Sequence, residues 1–392
     1  MAVKLGNGNW AVKEDKLLAY NDNSGKFFNK EFDFARGSSA TYVAKDGLIK
    51  SAASDVPRID FSDSTNGALL LEPQSTNLII TSDSGVYGSS PAYGILTTAP
   101  DGTNTAVRPV PSSNSNRYTG QISGGTYATN TKITYSWYRK RISTPVIDTY
   151  VGDLQPGILV NVTQVGSTIQ IKSDINGFDK FSATFNITDG SLSSNIRLYF
   201  GAIIGTGNSS VAYWGHQLEV GSYATSIIPT SGSTATRLAD VCNNSGSAQD
   251  FNSEEGVLYA EIAALASSVP LQRIALSDGT DSNRVYIQNS SINNQIFVSV
   301  QSGGVSSVNN STTAYDTTQF NKIAISYKTN DFSFWVNGTK IATDTSVVTP
   351  IGLNELAFDD GNGGNYFYGK TKNIQVFTEA KSDEFLAALT TI

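Results

Sequence analysis

Short apolar runs separated by clusters of Gly, Ser, Asn and Pro recur along most of this chain, and they constrain its fold more than any other feature. In Thr134–Arg139 the side chains alternate between two unlike faces, which is the period of a β-strand. Asn337-Gly338 lies between two such runs, and Asn-Gly is the strongest short signal for a β-hairpin. Only Ser382–Leu389 has a helical period, with Ser382 as its N-cap. The chain is therefore predicted to be all-β.

The length of 392 residues exceeds what one hydrophobic core usually supports, so we expect two or three domains. Residues 229–253 are rich in Ser, Thr, Asn and Gly, which predicts a linker or boundary. We predict tandem β-sandwiches with a small N-terminal module. The module covers residues 1–80, a jelly roll follows in 81–240, and a second sandwich covers 241–392.

Charge and hydropathy exclude several classes of partner. A net charge of −7 and a pI near 4.9, without clustered Lys and Arg, argue against nucleic acid. No apolar run reaches the roughly 20 residues of a membrane-spanning helix, and the segment after Met1 lacks a signal-peptide pattern, so neither membrane insertion nor secretion is expected. Cys242 is the single cysteine and cannot form a disulfide within the chain.

The residues available for catalysis are few. His216 is the single histidine, and its alternation with Trp214 and Leu218 favours a packed strand residue over a general base. Zinc and iron sites with several His or Cys ligands are excluded by these counts. Glycosidases need two opposed carboxylates, and Glu355 and Asp359 do not alternate as a catalytic strand requires. We therefore expect that the chain is not an enzyme.

One loop contains the oxygen donors that Ca²⁺ prefers. Asp359, Asp360 and Asn362 lie close together in a segment that ends at Asn365. Asx and Gly residues are also the usual residues of turns, so the segment is more typical of a loop without a metal. No cofactor is predicted, and Ca²⁺ at these three residues is the alternative.

Aromatic side chains near the same loop suggest a carbohydrate site, because sugar rings stack on aromatic faces while amides and charged groups bind their hydroxyls. Phe332 and Phe334 share the core face of one strand, so Trp335 points the other way. We predict that Trp335, Tyr366, Tyr368 and Asn365 form an exposed platform. The alternative is that a loop or a neighbouring subunit covers Trp335. Tyr135 and Trp137, a second aromatic pair, are interpreted as core residues.

Two stretches of the first 240 residues resemble a family of phage virion surface proteins, the head spikes and tail fibres. The first stretch comprises Phe34–Thr41, Gly47-Leu48-Ile49, Pro57–Phe61 and Leu70–Leu78. The second comprises Tyr213–Thr230 and Thr236–Asp240, with His216 where a small residue is more usual. The resemblance implies a particle-attachment module that carries a carbohydrate-binding-like jelly roll.

The C-terminal part resembles a concanavalin A-like sandwich of the laminin G type. This likeness rests on the hairpin at Asn337-Gly338, the strand Gly369–Phe377 and the segment Lys381–Phe385. It implies a lectin-like fold, and a shared fold does not itself establish a ligand.

Three functions follow as expectations. The favoured one is a non-enzymatic fibre or spike protein on the virion surface, which binds host glycan and attaches to capsid or tail proteins through residues 1–80. Such proteins are usually homo-oligomers, and we expect an oligomer, with a trimer as the implied form. The alternatives are a glycan depolymerase and a purely structural decoration protein of the capsid or tail.

Overall fold

The structure, a computed structural model, describes residues 3–13, 15–21, 26–82, 94–109, 118–121, 127–142, 162–187, 197–200 and 211–392. The chain divides into two compact units, each assembled from separate segments. Unit 1 comprises residues 1–39, 52–73 and 239–392, and unit 2 comprises residues 40–51 and 74–238.

Unit 1 is a β-sandwich in its described residues. Its first strands are β1 (Val3–Gly6), β2 (Ala11–Lys13), β3 (Lys16–Asn21), β4 (Lys26–Ala35), β7 (Ile59–Asp60), β8 (Ala68–Leu71) and β19 (Val241–Asn243). The later strands are β20 (Glu255–Ala264), β21 (Gln272–Ser277), β22 (Arg284–Asn289), β23 (Ile296–Ser302), β24 (Val305–Thr312), β25 (Asn321–Lys328), β26 (Asp331–Val336), β27 (Thr339–Asp344), β28 (Glu355–Ala357) and β29 (Gly369–Phe377).

These strands form two main sheets that share one core. The larger sheet has the order β19-β4-β3-β1-β29-β20-β25-β26-β27, with β2 beside β3, β8 beside β29 and β7 beside β8. The smaller sheet has the order β24-β23-β22-β21-β28. Leu258 and Ile325 of the larger sheet belong to the same buried cluster as Ile274 and Val298 of the smaller one. Two apolar sheet faces are thereby removed from water, as in any sandwich.

The N-terminal strands belong to this sandwich. The sequence had instead predicted a separate module for residues 1–80. Strand β1 pairs antiparallel with β29, from Val3 opposite Val376 to Gly6 opposite Asn373. Strand β8 pairs with the start of β29. The apolar side chains of β1 enter the core, where Leu5 is fully buried. Residues 1–80 are thus divided between the two units.

Four charged residues from the phage-like motifs meet inside unit 1. The Asp240 carboxylate accepts hydrogen bonds from Arg36 Nη1 at 3.0 Å and from Arg58 Nη2. It also accepts the main-chain N–H of Glu72 at 2.7 Å, while Arg58 Nη1 donates to Glu72 Oε2 at 2.7 Å. The side chains of Arg36, Arg58 and Asp240 are completely buried. Burial would lower the pKa of Arg58, but the charges of Asp240 and Glu72 raise it above its ordinary value. These motif residues hold separate chain segments of unit 1 together.

Unit 2 is built on a second sheet. Its strands are β5 (Ala40–Val43), β6 (Ile49–Ala52), β9 (Ser75–Asn77), β10 (Gly94–Thr97), β11 (Ala106–Pro109), β12 (Tyr118–Gln121), β13 (Lys132–Arg141), β14 (Val162–Ile175), β15 (Phe178–Ile187), β16 (Arg197–Phe200), β17 (Val211–Val220) and β18 (Ala235–Arg237). Among the described residues the main sheet has the order β10-β11-β17-β13-β15-β14, and the strand pairs β12-β16, β18-β9 and β5-β6 stand beside it.

Strands β13 and β17 of the main sheet of unit 2 carry buried side chains on both faces. Tyr135 and Trp137 belong to one apolar cluster, and Tyr138 and Trp214 belong to another. The prediction that Tyr135 and Trp137 are core residues is confirmed, since both are at most 3% exposed. With a sandwich in unit 1 and this sheet in unit 2, the predicted class of tandem, all-β sandwiches is confirmed.

The second phage-like motif, together with Asn77 of the first, forms a buried polar network in unit 2. Glu219 accepts hydrogen bonds from Gln217 at 2.7 Å and from the Thr225 N–H at 3.0 Å. Arg237 Nη1 donates to Thr225 Oγ1 at 3.1 Å. Asn77 Nδ2 donates to the carbonyl of Ile228 at 2.9 Å. Every buried polar group needs such a partner, so these motif residues are explained by packing.

The last residues of unit 1 form its helix, α1 (Asp383–Thr390). The Ser382 side chain accepts from the N–H of Phe385 and caps the helix, as the sequence predicted. The hairpin turn is also confirmed, because Asn337 and Gly338 both have positive φ and connect β26 to β27. Within the described residues, no helix has the length and apolar character that crossing a membrane would need.

Candidate carbohydrate-binding face

The smaller sheet of unit 1 has one face in the core and one face outside it. Ile274, Leu276, Val285 and Ile287 point into the core, and the residues that alternate with them point outward. We call this second surface the outer face. It carries the following side chains of β21, β22 and β23: Arg273, Ala275, Ser277, Arg284, Tyr286, Gln288, Phe297, Ser299 and Gln301.

One line of side chains crosses the outer face from strand to strand. Arg273 lies opposite Gln288, and Gln288 lies opposite Phe297. Tyr366 is the parallel bridge partner of Arg273, and the Asn365 carbonyl accepts the N–H of Arg273 at 2.8 Å. Bridge partners present their side chains on the same face, so these four side chains form what we call the transverse row: Tyr366, Arg273, Gln288 and Phe297. Three strand spacings give the row a length of roughly 14 Å.

The transverse row has aromatic ends and a polar middle. Tyr366, Arg273 and Phe297 are partly exposed, while Gln288 is 7% exposed. Arg273 Nε donates to Gln288 Oε1 at 2.7 Å, and the guanidinium lies 4.6 Å from the centroid of the Tyr286 ring. These contacts hold the guanidinium in one orientation before any ligand arrives, which lowers the ordering cost of binding.

The structure brings three of the four predicted site residues together. The rings of Tyr366 and Tyr368 are 6.5 Å apart at their centroids with a tilt of 35°, and both are half-buried. Asn365 is exposed beside them, and its Nδ2 donates to Asp360 at 2.7 Å. Burial, together with the charge of Asp240, raises the pKa of Tyr368 to about 12, so its hydroxyl stays neutral at physiological pH.

The prediction that Trp335 belongs to an exposed platform is wrong. It points away from Phe332 and Phe334 as expected, but it is only 6% exposed. Its ring belongs to an apolar cluster with Leu386 of α1 and Phe377, and its Nε1 donates to Ser333 Oγ at 3.1 Å. The helix therefore covers the second face of β26. Strand alternation indicates which way a side chain points and cannot show what packs over it.

The loop from Asp359 to Asn365 uses its oxygens for its own structure. Asp360 Oδ1 accepts the N–H of Gly364 at 2.9 Å, and Asp359 Oδ1 accepts the N–H of Gly361 at 2.7 Å. Burial opposes ionisation of Asp360, yet the hydrogen bonds from Asn365, Gly364 and Asn362 hold its pKa below the ordinary value. Asn362 is exposed. Across the ranges that the structure describes, no group of three or more His, Cys, Asp and Glu side chains is arranged to hold a metal ion. The loop is thus held together by its own hydrogen bonds, and Ca²⁺ at Asp359, Asp360 and Asn362 stays an untested alternative.

The carboxylates of Glu355, before this loop, and of Asp359, at its start, are close enough to influence each other. Burial raises the pKa of Asp359, and burial also raises the pKa of Glu355, to which the charge of Asp359 contributes. Asp359, however, is only 1% exposed. A glycosidase needs both carboxylates at a scissile bond, and a residue with this burial does not reach a polymer at the surface.

His216 is buried, as its strand position predicted. It is 1% exposed, and its Nδ1 lies 2.6 Å from the Tyr135 hydroxyl. Burial lowers the pKa of His216 to about 3. Trp214 packs in the opposite cluster from Leu218, because Gly215 adopts a positive φ of 65° and the register of β17 against β13 shifts there.

The sequence interpretation did not identify Arg273, Gln288, Phe297 or Tyr286. A signal was available in Arg284-Val285-Tyr286-Ile287-Gln288, where apolar side chains alternate with larger polar and aromatic ones. That alternation predicts a strand with one apolar face and a second face that carries polar and aromatic side chains. It does not show which residues on β21 and β23 lie opposite, since strand register is not visible in one sequence.

With the sandwich and its outer face described, the class of domain is defined by comparison with known families. Residues 262–387 match the laminin G family described as the Concanavalin A-like lectin/glucanases superfamily. The predicted concanavalin A-like, laminin-G-type fold of the C-terminal part is thereby confirmed. The resemblance of the first 240 residues to phage surface proteins stays a prediction.

Several solved structures are similar to parts of this chain. The CBM40 of the Ruminococcus gnavus IT-sialidase has 17% identity, covers 38% of this chain and 94% of its own, and has a TM-score of 0.32. Domain 4 of AbnA, a GH43 extracellular arabinanase from Geobacillus stearothermophilus in complex with arabinotriose, has 13% identity over 41% of this chain and 77% of its own, with a TM-score of 0.31. Domains LG4-5 of the mouse laminin alpha1 chain have 10% identity over 75% and 96%, with a TM-score of 0.25. A search of curated proteins finds no significant match.

Proposed function

We propose that this chain is a non-enzymatic carbohydrate-binding protein and that its outer face is the glycan site. The observation that carries the proposal is the transverse row, in which aromatic rings at Tyr366 and Phe297 flank an oriented guanidinium and amide. Aromatic rings offer flat apolar surface to the C–H faces of sugars, and a few fixed polar groups provide orientation. The row lies in the part of the chain that matches a lectin-like family.

The non-enzymatic part of the proposal is supported by what the outer face lacks among the described residues. Its side chains on β21, β22 and β23 include no carboxylate. Asp359 is buried, and His216 is buried within unit 2. A depolymerase acting at this face would need two accessible acids there. Binding without cleavage is therefore favoured over the depolymerase alternative.

We further propose that the chain acts on the surface of a phage particle, attached to capsid or tail proteins as a homo-oligomer. The support is the ordered series of phage-like motifs in the first 240 residues. Repetition of a weak sugar site by symmetry would raise the overall affinity without new contacts. An antibody against the chain is expected to label intact particles and to inhibit their attachment to host cells. Particles that attach equally well without the chain would refute this part.

The glycan proposal is tested with the purified full chain on a glycan array, followed by calorimetric titration of the best ligand. Tyr366→Ala is expected to weaken binding at least about tenfold, which corresponds to about 1.4 kcal/mol. Phe385→Ala is the matched control, because Phe385 is an aromatic residue 40% exposed on α1 of the same unit. A reducing-end assay is expected to show no shortening of the polysaccharide. Equal loss in both variants, or no glycan bound at all, would contradict the glycan site, and chain shortening would contradict the non-enzymatic role.

A further inference from the structure

Two arginines flank one tyrosine on the outer face. The Arg273 guanidinium carbon lies 4.6 Å from the ring centroid of Tyr286, and the Arg284 guanidinium carbon lies 5.1 Å from it. Arg284 precedes Tyr286 by two positions on β22, and Arg273 precedes Ala275, the cross-strand partner of Tyr286, by two positions on β21. A tyrosine face attracts cations, so the ring holds both guanidiniums close to it.

Neutral side chains hold both arginines in position. Arg273 Nε donates to Gln288 Oε1, and Arg284 Nε donates to Gln301 Oε1. Arg284 Nη1 donates to the main-chain carbonyl of Asp360 at 2.7 Å. An amide or carbonyl oxygen satisfies a donor without neutralising its charge. The two positive charges are thus oriented but incompletely balanced by their hydrogen-bond partners.

Among the residues that the structure describes, the carboxylate paired with Arg273 is that of Asp360, and it already has other donors. Asp360 Oδ2 is 3.9 Å from Arg273 Nη1, too far for a hydrogen bond, and it accepts from Asn365 Nδ2 at 2.7 Å. Burial lowers the pKa of Arg284, and the charge of Arg273 lowers it further, in spite of the opposing effects of Tyr286 and of the Asp360 and Asp281 carboxylates. The outward side chains of β21, β22 and β23 therefore include two guanidiniums and no carboxylate, on a chain whose net charge is −7.

Arg273 is the member of the pair that a ligand can reach. Its side chain is 13% exposed, and in the described part of the chain its terminal nitrogens donate no hydrogen bond. A guanidinium with free terminal N–H groups matches a carboxylate in a bidentate pair, and this pairing is stronger than a neutral hydrogen bond. Because Arg273 lies in the transverse row beside Tyr366, one sugar ring could stack while its carboxylate meets the guanidinium.

We infer that the outer face selects sugars that carry a carboxylate, with Arg273 as the carboxylate-binding residue and Arg284 as the charge that strengthens the local field. This inference rests on the proposed glycan function and narrows its ligand class to acidic sugars such as uronic acids.

The test compares an oligogalacturonate with its carboxyl-reduced, neutral counterpart, using the full chain in calorimetric titrations. We expect the acidic oligosaccharide to bind at least about tenfold more tightly, with an affinity that falls as salt rises. Arg273→Gln is expected to reduce the ratio of the two affinities at least about tenfold, and Arg273→Lys to restore part of it. Lys381→Gln is the control, since it removes one positive charge elsewhere on unit 1.

The outcomes separate this inference from the function on which it depends. Equal affinity for the acidic and reduced forms, or an unchanged ratio in Arg273→Gln, would overturn acidic selectivity and leave glycan binding standing if both forms bind. Selectivity lost equally in Lys381→Gln would show that overall charge is responsible and would also overturn it. Failure of the chain to bind any glycan on the array would remove both proposals.

Discussion

Replacing Asp240 by asparagine should destabilise unit 1 severely, although the two side chains have almost the same shape. The carboxylate accepts from Arg36, from Arg58 and from the Glu72 N–H, and it is fully buried. Asparagine removes the charge, and its NH₂ group would face an arginine donor in place of an acceptor. Two buried guanidiniums would then share the single charge of Glu72. Breaking a buried pair in this way costs about 3–5 kcal/mol.

The change is measured by urea and thermal unfolding of the wild-type and Asp240→Asn chains. For a unit of this size the melting temperature is expected to fall by about 6–20 °C. Hydrogen exchange should be accelerated in β4 and β8, which flank the network in sequence. Glu379→Gln is the control, because the Glu379 side chain is 71% exposed and its partner Lys381 is partly exposed, at 26%. That change should stay within about 0.5 kcal/mol. A loss below about 1 kcal/mol for Asp240→Asn would refute the reasoning.

Two further predictions concern buried side chains. Burial lowers the pKa of His216 to about 3 in the folded chain, compared with about 6.5 in the unfolded chain. Below pH 6.5 the imidazole is therefore protonated in the unfolded state but remains neutral in the folded state. The stability that is present above pH 6.5 is lost as the pH falls toward 3. Between pH 7 and pH 5 the wild type should lose about 2 kcal/mol more than His216→Gln, measured by urea unfolding, and equal losses would contradict this. Leu386→Ala, which removes a buried contact to Trp335, should cost about 2–5 kcal/mol and shift tryptophan emission to the red, and an unchanged spectrum would show that α1 does not depend on this contact.

Local features of the fold were predictable from the sequence. The hairpin at Asn337-Gly338 requires two residues with positive φ, and that requirement is visible in the residue types. The helix cap at Ser382 and the core positions of Phe332 and Phe334 follow from periodicity. Each of these depends on neighbours within a few residues.

Features that depend on distant partners were not predictable. Residues 229–253 have the composition of a linker, yet Arg237, Asp240 and Cys242 in this stretch are buried. The Asp240 carboxylate is satisfied by groups far away in sequence, Arg36 and Arg58. A prediction from hydrophobicity considers each residue separately, whereas a charged side chain can be buried only where a partner of opposite charge or a hydrogen-bonding group faces it.

The candidate site shows the same division. Tyr366, Tyr368 and Asn365 are close in sequence, and their proximity was predicted. The transverse row joins residues from β21, β22 and β23, and its membership depends on strand register. A shift of one residue would turn Arg273 into the core, so no property of the residue alone identifies it as a site residue.

The pairing of β1 and β8 with β29 has a consequence for synthesis. The ribosome releases residues 3–6 and 68–71 long before residues 369–377 exist. Until then, these early strands carry apolar side chains and open backbone edges without their partner. Contacts this far apart slow folding and expose a growing chain to aggregation. Completion of unit 1 must therefore await synthesis of residues 369–377, and chains interrupted before residue 369 should be substrates for chaperones or proteases.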